Sequence, residues 1–209
     1  MCESKHIVIS VGCEYASGGT QVGKLLSEKL GIEYFDREFI DQIIERVGVS
    51  QHVLNLADAG EAVKGLSSTN PGGWSLKYAD LTDRLVYIQK EVVKKLAART
   101  SCVIIGRCAD YILKDRSDVL NVFIYAPMEA RIRNVRQAVG CTREEAEKLI
   151  EEHDRMYHAR YKQITGTYRG DRHNRDILID AELLGVERTA DYLESLVKTL
   201  ESEGKFDGE

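Results

Sequence analysis

The 209-residue sequence predicts an α/β protein built on a doubly wound parallel sheet. Short apolar segments rich in β-branched residues alternate with segments of helical periodicity along the chain. The apolar segments are nearly continuous, which is typical of parallel strands covered on both faces. Ligands of such sheets bind beyond the carboxyl ends of the strands, so the loops that follow the strands are the candidate functional segments.

Each predicted strand is a short run of mainly apolar residues, many of them β-branched. The helices are predicted where the apolar residues recur at helical spacing. One helix start is marked by a capping box, Thr142-Arg143-Glu144-Glu145, because the Thr-x-x-Glu spacing satisfies two backbone N–H groups. The predicted strands are 6–11, 32–35, 102–105, 119–125 and 176–179, and the predicted helices are 21–30, 38–47, 76–99, 128–139, 142–162 and 186–200.

Charge is distributed unevenly. The net charge of −5 argues against a protein that binds nucleic acid through bulk charge. Residues 153–175, however, carry six Lys or Arg against two Asp or Glu. Such a basic segment in an acidic chain favours a local anionic ligand, with a solvated helix and loop as the alternative.

The five cysteines predict neither a disulfide framework nor a zinc site, because their number is odd and no CxxC occurs. No segment approaches the roughly 18 apolar residues of a membrane helix, and the N-terminus lacks the apolar run of a signal peptide. We therefore expect a cytoplasmic protein that does not act at a membrane.

The stretch GCEYASGGTQVGK follows the first predicted strand and resembles a Walker phosphate loop only in part. The Walker pattern is G-x-x-x-x-G-K-[ST], in which the lysine reaches the outer phosphates. Gly18 fits the last glycine, but Gly19 stands at the lysine position, and Gly12 lies one residue too early for the first glycine. A glycine-rich helix start still offers free N–H groups to an anion, although the positive charge must come from elsewhere. The alternative is a tight turn without a ligand.

Four further stretches complete a family pattern. They are IEYFDREFI, VIIGRCADYIL, DVLNVFIYAPMEARIRNV and NRDILIDAELLGVERTADYL. In their order and spacing, and together with EYASGGTQVG, they resemble the cytidylate-kinase-like family, relatives of the nucleoside monophosphate kinases. The resemblance implies a three-layer P-loop NTPase-type fold with a five-stranded parallel sheet, a helical monophosphate-binding insertion and a mobile lid.

The resemblance also implies how a single domain is divided. We expect the core to comprise residues 1–35, 100–140 and 174–200. Residues 36–99 would form the helical insertion, with a loop at 65–73, and the lid would span about 141–173. The tail, residues 201–209, is polar and expected to be frayed.

The family implies ATP and Mg²⁺ as cofactors. Ser17, Gly18, Gly19 and Thr20 resemble the triphosphate cradle, although many relatives carry a basic residue where this chain has Thr20. Thr20 or Ser17 would supply the hydroxyl ligand of magnesium, and Asp36 would bind it through water.

The acceptor site is implied by two other stretches. Asp36 resembles the aspartate that opens the monophosphate site, and Arg37 stands in for an arginine whose place is taken by Gln42. Arg107 resembles the arginine that holds the acceptor phosphate, and Arg131 is expected to assist it. Two other positions bear on base recognition: Cys108 replaces an aspartate, so that Asp110 is the alternative acceptor, and Cys108 itself is expected to be packed rather than reactive.

The lid motif of the family aligns with residues 153–160. Asp154 and Arg160 match it, with Asp154 expected to contact substrate, whereas His153 and Tyr157 replace an arginine and an aspartate. His153, Tyr157 and Arg160 share one helical face. Arg155 and Arg160 would close over the transferring group, while Lys24, one turn into the first helix, is another cation to consider.

We therefore expect a nucleotide-dependent kinase that transfers the γ-phosphoryl group of ATP to a nucleoside monophosphate or similar phosphorylated acceptor. The alternatives are a nucleotide-binding regulatory or sensor module without transfer, and a structural protein that binds no nucleotide. The expected partners are the nucleotide and the phosphorylated acceptor, not nucleic acid or a membrane, and the sequence does not indicate the oligomeric state.

Overall fold

The computed structural model describes residues 6–46, 48–49 and 78–206. Its strands are β1 (Val8–Cys13), β2 (Glu33–Phe35), β3 (Cys102–Ile105), β4 (Val119–Tyr125) and β5 (Ile177–Asp180). They form one parallel sheet in the order β2-β3-β1-β4-β5. All five strands were predicted, and their bounds differ from the prediction by at most two residues.

Seven α-helices are present in the described part of the chain. The short helix Ala109–Ile112 was not predicted, because four residues are too few to show a period, and a 3₁₀ turn at Arg172–Asn174 was missed for the same reason. The helices are α1 (Gly19–Leu30), α2 (Arg37–Arg46), α3 (Tyr78–Arg99), α4 (Ala109–Ile112), α5 (Met128–Val139), α6 (Arg143–Thr165) and α7 (Ala181–Ser202).

The sheet is covered on both faces, as the apolar strands require. Ile9 and Val11 of β1 pack with α1 and α7, whereas Val8 packs with α2, α3 and α4. Side chains of a strand alternate between the faces, so the two clusters lie on opposite sides of the sheet. The resulting three layers around five parallel strands confirm the predicted α/β fold.

Two features at the C-terminal end differ from the prediction. Gly185 has φ 77° and ψ 163°, which interrupts α7, so that the predicted start at 186 matches the second segment of the helix. The tail is not frayed throughout, since Ser202 is still helical and Phe206 is buried in the core with only 7% of its surface exposed. Phe206 thereby packs the end of the tail into the cluster that contains residues of α1 and α7.

The predicted insertion and lid contain described helices, α2 and α3 in the former and α6 in the latter. The predicted loop at 65–73 and the start of the helix at 76 lie outside the described residues. None of the described helices combines the length and apolar character needed to cross a membrane. The division into core, insertion and lid remains a prediction.

The predicted capping box is present at the start of α6. The Thr142 hydroxyl accepts a hydrogen bond from the Glu145 N–H (3.2 Å), and the Glu145 carboxylate accepts one from the Thr142 N–H (2.8 Å). The box fixes the first turn of α6 by satisfying two N–H groups that have no partner within the helix.

We expect Thr142→Ala to lower the free energy of unfolding by about 1 kcal/mol, because an N-cap hydroxyl is lost. Urea unfolding measures this change. Lys148→Ala, at an exposed position one turn further along α6, is the control and should change the free energy by less than about 0.5 kcal/mol. Equal effects of the two substitutions would contradict a stabilising role for the cap.

Candidate functional site

Two turns follow the adjacent strands β1 and β3 at one edge of the sheet, the β1 loop (residues 14–18) and the β3 turn (residues 106–110). Among the described residues, the non-glycine residues with left-handed backbone are Ala16 (φ 60°), Arg107 (φ 53°) and Cys108 (φ 56°). Each costs roughly 1–2 kcal/mol, and such strain clusters at functional sites. Both turns lie where ligands of parallel sheets bind.

The β1 loop leads directly into the first turn of α1. Gly18 has φ 87°, a conformation that favours glycine. Ser17 is buried, and its hydroxyl donates to the carbonyl oxygens of Glu14 (3.0 Å) and Ile124 (3.3 Å). The Ser17 hydroxyl therefore holds the backbone of the β1 loop. Of the two hydroxyls expected to bind magnesium, that of the exposed Thr20 is the more accessible.

Gly19 is packed too tightly to carry a side chain. A Cβ atom at Gly19 would lie 2.3 Å from the Cβ atom of Cys13 and 3.0 Å from its Sγ. Cys13 stands five residues before Gly18, where a Walker loop has its first glycine. Cys13 thus stands where the Walker motif has a glycine, and Gly19 stands where the motif has lysine. These two departures from the motif are linked, because the Cys13 side chain occupies the space that the stem of a lysine at position 19 would need.

The Cys13 side chain occupies this space as an uncharged thiol. Burial raises its pKa, although the Arg169 guanidinium and a hydrogen bond with Thr20 oppose the shift. A protonated thiol packs as a small apolar group.

Two predicted acceptor-binding arginines converge on a carboxylate of α2. The Arg107 side chain is 5% exposed, and its guanidinium donates to Asp41. Arg37 lies 3.8 Å from the same carboxylate, and the Arg107 carbonyl accepts a hydrogen bond from Gln89 (2.8 Å). Asp41 was not predicted, although its i, i+4 spacing from Arg37 was a usable signal.

Arg131 of α5 is neutralised by neighbouring groups. Its Nε donates to the Tyr15 carbonyl (2.7 Å), and its terminal nitrogens contact Glu14 (3.3 Å) and Asp154 (2.5 Å). Asp154 also accepts a hydrogen bond from the Tyr15 N–H (3.2 Å). Arg131 and Asp154 thus join the β1 loop to α6, and their contact with substrate stays a prediction.

Helix α6 stacks an aromatic ring on the β1 loop. The rings of His153 and Tyr15 are parallel to within 15°, with centroids 4.0 Å apart. The Tyr157 hydroxyl accepts a hydrogen bond from Arg37 (3.2 Å). Of the two lid arginines expected to act in catalysis, Arg155 is exposed and Arg160 is buried.

Two arginines between α6 and β5 reach the site without having been assigned a role from the sequence. Arg169 donates to the carbonyl oxygen of Cys13, and its guanidinium lies 4.9 Å from the centre of the Tyr157 ring. Arg175 is 1% exposed and lies 2.6 Å from the carboxylate of Asp110. The sequence showed that this segment is positively charged, but it did not indicate which of its arginines point toward the interior.

The β3 turn is tied to the interior through Asp110. Its carboxylate accepts a hydrogen bond from the Tyr161 hydroxyl (2.5 Å) and pairs with Arg175. Asp110, considered above as an acceptor for a base, is therefore already engaged. Burial, and then Asp110, raise the pKa of Cys108 to about 12, so Cys108 is a packed thiol in this structure.

Thr20 and Asp36 are chemically suited to magnesium but not to a dedicated metal cage. One carboxylate oxygen of Asp36 caps α2 by accepting from the Phe39 N–H (2.8 Å). Within the described residues, no group of three or more His, Cys, Asp and Glu is placed to hold a metal. Magnesium in phosphate-transfer sites is held by one or two protein oxygens, phosphate and water, so this donor set fits it.

A groove of about 1000 Å³ lies at the opposite end of the sheet. Its lining includes Ile7 before β1, Gly31 after α1 and Ser101 before β3. Because the strands begin there, the groove is separate from the two strained turns.

Comparison with known proteins gives a family match over most of the chain. The model of the family described as "Cytidylate kinase-like family" matches residues 8–183. A cytidylate kinase of Methanosarcina mazei is 28% identical over 154 residues, which cover 70% of this chain and 84% of that protein.

Solved structures share the fold at low sequence identity. An uncharacterized protein from Eubacterium ventriosum has a TM-score of 0.70 and 22% identity, covering 92% of this chain and 99% of its own. The shikimate kinase of Bacteroides thetaiotaomicron has a TM-score of 0.53 and 17% identity, covering 92% of this chain and 98% of its own. These likenesses bear on the fold alone.

The packing of Gly19 against Cys13 leads to a prediction of coupled substitutions. Gly19→Ala should destabilise the protein, by roughly 1–3 kcal/mol, because the new Cβ has no space. Adding Cys13→Gly should recover part of this loss, since it removes the opposing side chain. Urea unfolding of the two single variants and the double variant measures the coupling, and strictly additive effects would contradict the proposed steric exchange.

The stacked His153 predicts a dependence on pH. Burial, and then the Arg37 guanidinium, lower the pKa of His153. The unfolded state, with a pKa of about 6.5, therefore binds the proton more readily, and stability should fall as the pH drops below that value.

His153→Phe keeps a ring on Tyr15 without a titrating group, so its stability should change less between about pH 7.5 and pH 5.5 than that of the wild type. Urea unfolding at the two pH values tests this. The exposed His173→Ala is the control and should retain the wild-type dependence. An unchanged pH dependence in His153→Phe would contradict the prediction.

Proposed function

Since the chain belongs to the cytidylate kinase-like family, we propose that it is a nucleotide-dependent small-molecule kinase. It transfers the γ-phosphoryl group of ATP to a nucleoside monophosphate or a similar phosphorylated acceptor. Among nucleoside monophosphates, cytidine monophosphate is the first candidate, because a cytidylate kinase is among the relatives.

The observation that carries this proposal is the pair of strained turns after β1 and β3. One turn opens a helix, whose N–H groups and dipole favour a phosphate, and the other presents Arg107. The strands β1 and β3 are neighbours, and neighbouring strands lie about 4.8 Å apart, so the two turns lie side by side at the carboxyl end of the sheet.

In the proposed reaction, an oxygen of the acceptor phosphate attacks the γ-phosphorus of ATP. The bond from that phosphorus to the β–γ bridging oxygen breaks, and ADP leaves with the electron pair. Phosphoryl transfer of this kind depends on positioning and charge neutralisation. Ser17, Gly18, Gly19 and Thr20 form the donor cradle.

The acceptor phosphate binds Arg107 and Arg37 in exchange for Asp41. A guanidinium can bind a phosphate through two parallel hydrogen bonds, so the phosphate replaces the carboxylate as the charged partner of Arg107. Arg155 and Arg160 act from α6, while Arg131 and Asp154 hold α6 to the β1 loop.

Thr20, and Asp36 through water, would hold the magnesium ion that accompanies ATP. The ion supplies neutralisation of the phosphate charge. Thr20 lies in the first turn of α1 and Asp36 directly follows β2, so both sit at the edge of the sheet where the donor cradle opens.

A second candidate is a nucleotide-binding sensor that no longer transfers phosphate. It is favoured by Gly19 at the lysine position and by the carboxylates that neutralise Arg107 and Arg131. Such a module would bind ATP through the same cradle without turnover.

The first experiment is label transfer from γ-labelled ATP, with magnesium, to a panel of nucleoside monophosphates headed by cytidine monophosphate. We expect transfer by the wild type. Arg107→Ala/Asp41→Ala should lower kcat/KM by on the order of 100-fold, because the acceptor phosphate loses one of its two arginines. The double variant is preferred because Arg107→Ala alone removes the nearer guanidinium from the buried Asp41 carboxylate, which would destabilise the fold.

The exposed Arg84→Ala on α3 is the control and should retain activity. Failure to transfer to any acceptor, while ATP still protects the fold against heat, would favour the sensor. Failure of both transfer and protection would contradict nucleotide binding, since a ligand at about 100 times its dissociation constant adds about 2.7 kcal/mol to stability.

A further inference from the structure

Arg169 reaches the strand end that packs beneath the donor cradle. Its guanidinium donates to the carbonyl of Cys13, the residue that excludes a side chain at Gly19. Among the described residues, its remaining contacts are a loose ion pair with Asp154 (3.9 Å) and the face of Tyr157. A carbonyl and an aromatic face are weak partners for a full positive charge.

We propose that Arg169 supplies the cation that the β1 loop lacks and binds the outer phosphates of the donor nucleotide. The inference rests on the proposed function, in which the cradle holds ATP. A phosphate oxygen is a stronger acceptor for a guanidinium than a carbonyl is, so ATP would take Arg169 from the Cys13 carbonyl at little cost.

The other cations near the cradle are less suitable. Arg131 is 5% exposed and already contacts Glu14, Asp154 and the Tyr15 carbonyl. Arg160 is buried, and Lys24 is exposed one turn further along α1. The Arg169 side chain is 18% exposed, more than that of Arg131, and its guanidinium is held by the Cys13 carbonyl and the Tyr157 ring.

Arg175 positions the segment that carries Arg169. Its Nη2 donates to the Arg169 carbonyl (3.0 Å), and its Nη1 lies 2.6 Å from Asp110 of the β3 turn. The Arg175 guanidinium also lies 5.3 Å from the centre of the Phe123 ring. Arg169 therefore extends from a backbone held to the sheet and the β3 turn, which limits the entropy lost when it binds phosphate.

Arg169→Ala and Arg169→Gln test the proposal, with affinity for ATP and for AMP in magnesium measured by calorimetry. Glutamine retains a donor for the Cys13 carbonyl but removes the charge, so it serves if the alanine variant folds poorly. Both variants should bind ATP at least about tenfold more weakly, because a charge-assisted contact is lost, while affinity for AMP stays within about twofold.

A further variant separates the role of Arg169 from a general loss of positive charge in this segment. The exposed Arg172→Ala, in the same segment, should bind ATP as the wild type does.

The readout does not depend on identifying the acceptor. Unchanged ATP affinity in Arg169→Gln would overturn the role of Arg169 and leave the proposed function intact. Equal weakening of ATP and AMP would also overturn it, because the effect would then not lie at the outer phosphates. A wild-type protein that binds no ATP would overturn both the proposed function and this inference.

Discussion

The close approach of α1 to the end of β1 is the constraint on which the site depends. Because Gly19 packs against Cys13, no side chain fits at the position where a Walker loop carries its lysine. Any positive charge for an anion at this helix start must come from elsewhere in the chain. The described structure brings arginines from α2, the β3 turn, α5 and the segment after α6, and it pairs most of them with carboxylates.

Because these arginines are paired with carboxylates, an anion that binds one of them would take the place of its carboxylate. A buried guanidinium and carboxylate gain little net stability from each other, but a buried charge left alone is costly. A phosphate that binds Arg107 must therefore displace Asp41, which belongs to α2. Asp154 of α6 is likewise shared between Arg131 and the β1 loop. The carboxylates that pair with Arg107 and Arg131 therefore belong to α2 and α6, the two helices that border the proposed site.

Much of the fold could be predicted because local pattern determines it. The strands have nearly continuous apolar sequences, and α6 begins at a capping box. The site was less predictable, because its contacts join distant parts of the chain. Arg131 meets Asp154 across 23 residues and Glu14 across 117, and no periodicity reports such pairs. The Arg37–Asp41 pair is the exception, since helical spacing alone brings the two together.

The backbone strain in the β3 turn bears on whether this turn does more than connect β3 to α4. Arg107 and Cys108 both have left-handed backbone, at roughly 1–2 kcal/mol each, in a protein class whose total stability is about 5–15 kcal/mol. The Arg107–Asp41 pair does not offset this cost, because apolar residues often replace a buried ion pair without loss of stability. A turn that served only to connect β3 to α4 would be more stable with glycine and an apolar side chain. The anion proposed to bind Arg107 would account for an arginine at this strained position, which packing alone does not require.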